Sequence, residues 1–153
     1  MKIGIISDTH NFLDPRVAEI FQGVEHILHG GDIGRPDILA ELETIAPVTA
    51  VAGNTDDDPT YRQTAVVTLD GKIFLVHHIV SPGEFTQPIA RRIATETPDV
   101  VVFGHTHKPF VEQFDRTLFF NPGYAGKQRF DLRRSVALMH IEAGVIRYEL
   151  IWL

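Results

Sequence analysis

The stretch IGIISDTHN, residues 3–11, changes character in its middle: a short apolar run gives way to Ser7-Asp8-Thr9-His10-Asn11. An apolar run of that length closed by polar residues suits a buried strand. The pattern then repeats. Asp14-Pro15 reads as an N-cap with proline at the first helical position, opening a helix through Val17, Ile20 and Phe21. A second strand over 26–29 ends in Gly30-Gly31-Asp32, and a helix over about 36–45 carries Ile38, Leu39 and Leu42 on one face. A third strand over 48–52 ends in Gly53-Asn54. This β-α-β-α-β order predicts a parallel sheet whose polar loops gather at the C-terminal ends of its strands.

The second half has another rhythm. Strands over 64–69 and 72–77, joined by Asp70-Gly71, form a β-hairpin. A helix over about 86–97 places Ile89 and Ile93 one turn apart and is stopped by Pro98. Strands follow over 100–103, 110–114, 118–121 and 136–142, and Ala143-Gly144 turns the chain into a last strand over 145–152. No linker, repeat or low-complexity tract interrupts 1–153, so one domain is expected: two mixed β-sheets packed face to face with helices outside.

Composition limits the function classes. At 44% hydrophobic and 22% charged residues, an ordered globular domain is expected. A net charge of −6 is unsuited to a protein that grips a nucleic-acid backbone, so nucleic acid is not expected as a stable partner. With no cysteine there is no disulfide framework, thiolate metal site or cysteine nucleophile. Met1-Lys2-Ile3-Gly4 opens directly on a strand pattern without a signal-peptide layout, and no apolar run approaches the ~20 residues of a membrane span. The expected setting is cytoplasmic, with no membrane partner.

Chemistry collects at the strand ends. The first delivers Asp8 and His10; the second, Asp32; the third, Asn54; the hairpin, His77 and His78. The segment Gly104-His105-Thr106-His107 adds two imidazoles, which in an extended chain point the same way. With one of the two adjacent hairpin histidines counted, seven candidate ligands exceed the four of a structural zinc, and none is sulfur. Mixed carboxylate, imidazole and amide donors suit first-row ions with open coordination positions. Such a set predicts two ions about 3.5–4 Å apart, bridged by Asp32, that activate a water and clamp the oxygens of a phosphate ester during hydrolysis.

Asp8-x-His10, Gly31-Asp32, Gly53-Asn54, His77 and Gly104-His105-x-His107 resemble, in order, the five blocks of the calcineurin-like metallophosphoesterases. Asn121-Pro122-Gly123 resembles a block of that family's small single-domain bacterial and archaeal phosphodiesterase branch. The resemblance implies a four-layer α/β/β/α sandwich and a metal-dependent phosphodiesterase acting through a metal-bridging hydroxide. It assigns Asp8, His10, Asp32 and His107 to one divalent ion and Asp32, Asn54, His77 and His105 to the other, with Asn54 and His105 also catalytic. Imidazole-rich N/O donors put Mn²⁺, Fe or Ni²⁺ ahead of Mg²⁺ alone; Mn²⁺ is the expected ion, with Fe, Ni²⁺, Zn²⁺ and Mg²⁺ as the alternatives.

Three positions depart from the family pattern. Thr55 stands where many members carry a histidine that protonates the leaving group or binds phosphate, and a hydroxyl cannot serve as an imidazolium acid. A small-molecule phosphodiester with an activated aryl leaving group is therefore the expected substrate. His78 stands where a glycine often follows the histidine ligand. Alternation puts it opposite His77, so a structural role inside the sandwich is favoured over contact with substrate. Tyr124 replaces a serine and either lines the pocket or packs. Asp56 is the candidate for orienting a ligand histidine from behind, and Arg129, in the basic stretch 127–134, for touching substrate. The loop 81–85 is placed to overhang the site. The rival function is a protein-interaction scaffold on the same fold, as in the family's retromer-subunit relatives; those tend to lose ligands or the histidine after Gly-Asn, and this chain keeps all seven ligands, which favours an enzyme, while Thr55 leaves the scaffold as the alternative. A homo-oligomer stays open, with exposed Phe or Trp on the last strands as its expected mark.

Overall fold

Ten strands and three short helices make up the computed structural model, which describes residues 1–153. In chain order they are β1 (Lys2–Ile6), α1 (Arg16–Ile20), β2 (His26–His29), α2 (Asp37–Glu43), β3 (Val48–Ala50), β4 (Thr64–Leu69) and β5 (Lys72–His77). Then come α3 (Ala90–Glu96), β6 (Val100–Val102), β7 (Phe110–Phe114), β8 (Thr117–Asn121), β9 (Ser135–Glu142) and β10 (Val145–Trp152). One sheet has the order β10-β9-β1-β2-β3, with β1, β2 and β3 parallel; the other has the order β4-β5-β6-β8-β7, with β5, β6 and β8 parallel. Antiparallel neighbours on both make each sheet mixed.

Alternation along these strands builds the layers. Ile3, Ile5, Val76, Val102, Phe120 and Met139 point between the sheets and form one buried cluster. The opposite faces hold Ile6, Ile27 and Val136 against Val17 of α1 and Leu42 of α2, and Leu75, Val101 and Phe119 in a third cluster that Ile93 of α3 joins. The result is the expected α/β/β/α sandwich. Its helices are shorter than their sequence patterns: α3 begins at Ala90, four residues after Thr86, and ends where Thr97 turns left-handed (φ 46°) ahead of Pro98. None of the helices is long and apolar enough to cross a membrane.

The sandwich brings the C-terminal ends of β1, β2, β5 and β6 to one rim. Asp8 N donates to Gly31 O at 2.9 Å, Gly104 N to His78 O at 3.0 Å, and the His78 ring reaches Gly30 O at 2.8 Å. Asp14, before α1, holds the distant Arg134 at 2.9 Å with both side chains nearly buried, which ties the loop after β1 to the segment entering β9. Buried His29, at the end of β2, fixes the next turn. Its Nδ1 accepts Gly31 N–H, so the ring proton sits on Nε2 and is donated to Thr9 Oγ1 at 3.0 Å; Thr9 in turn donates to Ile33 O.

Burial pushes the His29 pKa down to about 4 from an ordinary 6.5. The unfolded chain therefore binds a proton that the folded one refuses between those values, and stability falls as pH drops through that window, by about 1.4 kcal/mol per pH unit for this one group. Urea unfolding of His29→Gln between pH 7 and 4 is expected to show a pH dependence shallower by that slope. Parallel curves for the two proteins would contradict the assignment.

Candidate functional site

Asp8 sits at the centre of the rim, fully buried with a left-handed backbone (φ 56°). Its Oδ2 accepts Ser7 Oγ–H at 2.6 Å and the His105 amide at 3.2 Å. Its Oδ1 is buried with no hydrogen-bond partner at all. Around that oxygen stand His107 Nε2 at 3.3 Å and His10 Nε2 at 3.8 Å, and the two imidazole nitrogens are 3.4 Å from each other. A buried carboxylate oxygen left without a proton donor is costly. Facing two ring nitrogens, it fits a cation.

Asp32 carries the arrangement onward. Its Oδ1 accepts the Thr55 amide at 2.9 Å, while Oδ2 lies 3.6 Å from His10 Nε2 and 3.2 Å from His78 Nε2. Burial alone would raise the Asp32 carboxyl; the His78 ring and the Thr55 amide outweigh it and hold the group well below the usual carboxylate range. Burial likewise disfavours a charged His78, but the neighbouring Asp32 carboxylate raises its pKa on balance. Beyond His78, Asn54 Oδ1 lies 3.1 Å from His78 Nε2 and 2.9 Å from His105 Nδ1. Two groups of donors thus meet, Asp8-His10-His107 and Asp8-Asp32-His78, the atoms in each within 4.8 Å of one another.

His77 is not among them. Its Nδ1 is 2.9 Å from Gln63 O and 2.8 Å from Thr64 Oγ1, at the far side of β5, and His78 takes the place expected for it. The two histidines do lie on opposite faces, with His78 on the inner side as expected, but the donors gather on that inner side and not on the side of His77. Phe74 and Val76 point between the sheets, so His78 continues their side at the rim, whereas His77 shares the outward parity of Leu75. The hairpin holds the signal for this. Two-residue Asp70-Gly71 sets Leu69 opposite Lys72 and therefore Thr64 opposite His77, which makes His78 the first residue past the strand. The other candidate donors all lie past a strand end.

The Gly104–His107 segment also differs from expectation. It is not extended: β6 stops at Val102, and both His105 (φ 70°) and His107 (φ 59°) are left-handed. The bend sends His107 to Asp8 and His105 to Asn54. A side chain on Gly104 would collide with Ser7 Oγ and Asp8 Oδ2, so only glycine allows this approach. Asn121 pins the bend, donating to Gly104 O at 2.9 Å and Thr106 Oγ1 at 3.1 Å.

The residues behind the donors have defined places. Asp56 orients no histidine; its carboxylate accepts the amides of Ile33, Gly34 and Gly53 at 2.8–3.0 Å, which clamps the loops bearing Asp32 and Asn54. Tyr124 packs: it is buried, donates to Lys127 O at 2.9 Å, and lays its ring 4.7 Å from that of His107. The exposed Arg129 guanidinium lies 5.8 Å from the Tyr124 ring, beside the rim. Thr55 and His10 border an open cleft of about 670 Å³ with Arg35, Asp57 and Asp58. Gly83, Glu84 and Phe85 do not overhang the donors; they line a separate cleft with α3 and Phe114.

Residues 1–144 match the family model described as the calcineurin-like phosphoesterase superfamily domain. A probable metallophosphoesterase of Methanothermobacter thermautotrophicus is 37% identical over 164 residues, covering 99% of this chain and 92% of its own. A solved structure described as a novel archaeal phosphodiesterase is 26% identical, with a TM-score of 0.76 and 100% of both chains covered. A single-mutant Vps29 from Entamoeba histolytica superposes with a TM-score of 0.78 over 100% of this chain and 99% of its own, at 19% identity, a likeness of fold alone. Matched along nearly its whole length, this chain belongs to the calcineurin-like phosphoesterase superfamily.

Proposed function

We propose that this chain is a metal-dependent phosphodiesterase with a dinuclear centre, Asp8, His10, Asp32 and His107 holding one divalent ion and Asp32, Asn54, His78 and His105 the other. The observation that carries this reading is the buried, partnerless Asp8 Oδ1 beside an Asp32 Oδ2 that His10 and His78 approach from two sides. Bound there, two such ions would make hydroxide available as a nucleophile near neutral pH and would offset charge on the phosphoryl oxygens. The all-nitrogen-and-oxygen donor set suits Mn²⁺, as it does Fe, Ni²⁺ and Zn²⁺, and Mn²⁺ is the ion taken for the tests.

The chain's own groups do the rest. His78 donates Nδ1–H to Gly30 O, which leaves its Nε2 lone pair for coordination. With Asn54 Oδ1 turned toward two rings, its amide hydrogens stay free to donate to a phosphoryl oxygen. Exposed His105 faces the same opening, and Arg129 adds a positive charge at its edge. At Thr55 no imidazolium is present to protonate a leaving oxygen, so aryl phosphodiesters react faster than alkyl ones. The second reading, a scaffold on the same fold, is favoured by Thr55 in place of the histidine and by the likeness to Vps29; the buried carboxylate oxygen kept free of partners favours the enzyme.

His78→Ala is expected to lower Mn²⁺-supported bis-p-nitrophenyl phosphate hydrolysis by about a hundredfold or more, while His77→Ala stays within about threefold of wild type. The reverse ranking would restore His77 as the ligand. Thr55→His is expected to raise hydrolysis of alkyl relative to aryl diesters by about 10²-fold. An unchanged ratio would remove the leaving-group explanation.

A further inference from the structure

Six large apolar side chains stand exposed on this molecule, and three of them, Val145 (54%), Tyr148 (48%) and Trp152 (45%), belong to β10. β10 is also an edge strand of eight residues, longer than the edges β3, β4 and β7. A long apolar edge invites pairing with another strand.

The backbone says which residues are available. Ala143 and Gly144 both have positive φ, as in a two-residue type I′ turn, so Glu142 and Val145 form a hydrogen-bonded pair. The alternation then directs the peptide groups of Val145, Arg147, Glu149 and Ile151 toward β9, and Leu153 N donating to Arg134 O continues it. Those of Ile146, Tyr148, Leu150 and Trp152 point out of the sheet.

We propose that β10 pairs antiparallel with β10 of a second copy about a twofold axis through Tyr148, joining the two sheets into one. Outward peptide groups then meet outward peptide groups: Tyr148 faces itself and Ile146 faces Leu150 of the partner subunit. On the other face Arg147 meets Glu149 of the partner subunit twice over, and Val145 meets Ile151. Centring the axis on Arg147 or on Glu149 would set like charges opposite each other. Of the twofold registers that set outward peptide groups against outward ones, the one centred on Tyr148 alone places Arg147 opposite Glu149, and this charge match of the strand with itself makes a second copy rather than a foreign strand the occupant.

Sedimentation of the full-length protein near physiological salt tests this. Wild type is expected to be dimeric at micromolar concentration, and Arg147→Glu and Glu149→Arg are each expected to weaken association by about tenfold or more. The double variant R147E/E149R restores opposite charges and is expected to dimerise within about threefold of wild type. Circular dichroism verifies that each exposed substitution leaves the fold intact. A monomeric wild type at roughly 100 µM, or a double variant as dissociated as the singles, would overturn the proposal.

Discussion

Two carboxylates, Asp8 and Asp32, are buried side by side at the rim where two sheets meet, and the structure around them answers to that constraint. Isolated charges in a dry interior are expensive, and neighbouring ones repel. Hydrogen bonds from Ser7, the His105 amide and the Thr55 amide relieve part of the cost, and the His78 ring stands 3.2 Å from Asp32 Oδ2. They stop short of Asp8 Oδ1. A buried carboxylate oxygen left without a donor, with the His107 and His10 ring nitrogens beside it, suits a cation.

Holding that arrangement takes backbone strain. Asp8, His10, Asp32, His105 and His107 are all left-handed, a conformation non-glycine residues seldom adopt, at a cost of order 1–3 kcal/mol each. The surroundings over-determine each one. His29 and Thr9 fix the turn after β2, the Asp56 carboxylate binds three amides across two loops, Asn121 grips the bend after β6, and Tyr124 supports the His107 ring. Strain and support together set the donors before any ion or substrate arrives, as preorganised catalysis requires.

Much of this was legible in the sequence. The strands 26–29 and 145–152 and the 64–77 hairpin can be read residue for residue, because alternation and two-residue turns are local signals. The convergence of Asp8, Asp32, Asn54 and His105 follows from parallel strands ending in polar loops. What escaped was orientation. In Lys72–His77 both faces are apolar, so periodicity does not say on which of them the donors gather, and adjacent His77 and His78 read as equal candidates. Gly104–His107 looks extended until the left-handed turns forced by the approach to Asp8 are known. Asp56 and Tyr124 make contacts with residues far along the chain, set by packing that no local pattern encodes.

Calorimetric titration of Mn²⁺ into chelator-stripped protein tests the central claim most directly. Two ions bound per wild-type chain, with Asp8→Asn reducing that number, would agree with a pair of cations seated on the buried carboxylates. No binding by a folded wild type, or full stoichiometry after loss of the Asp8 charge, would contradict it.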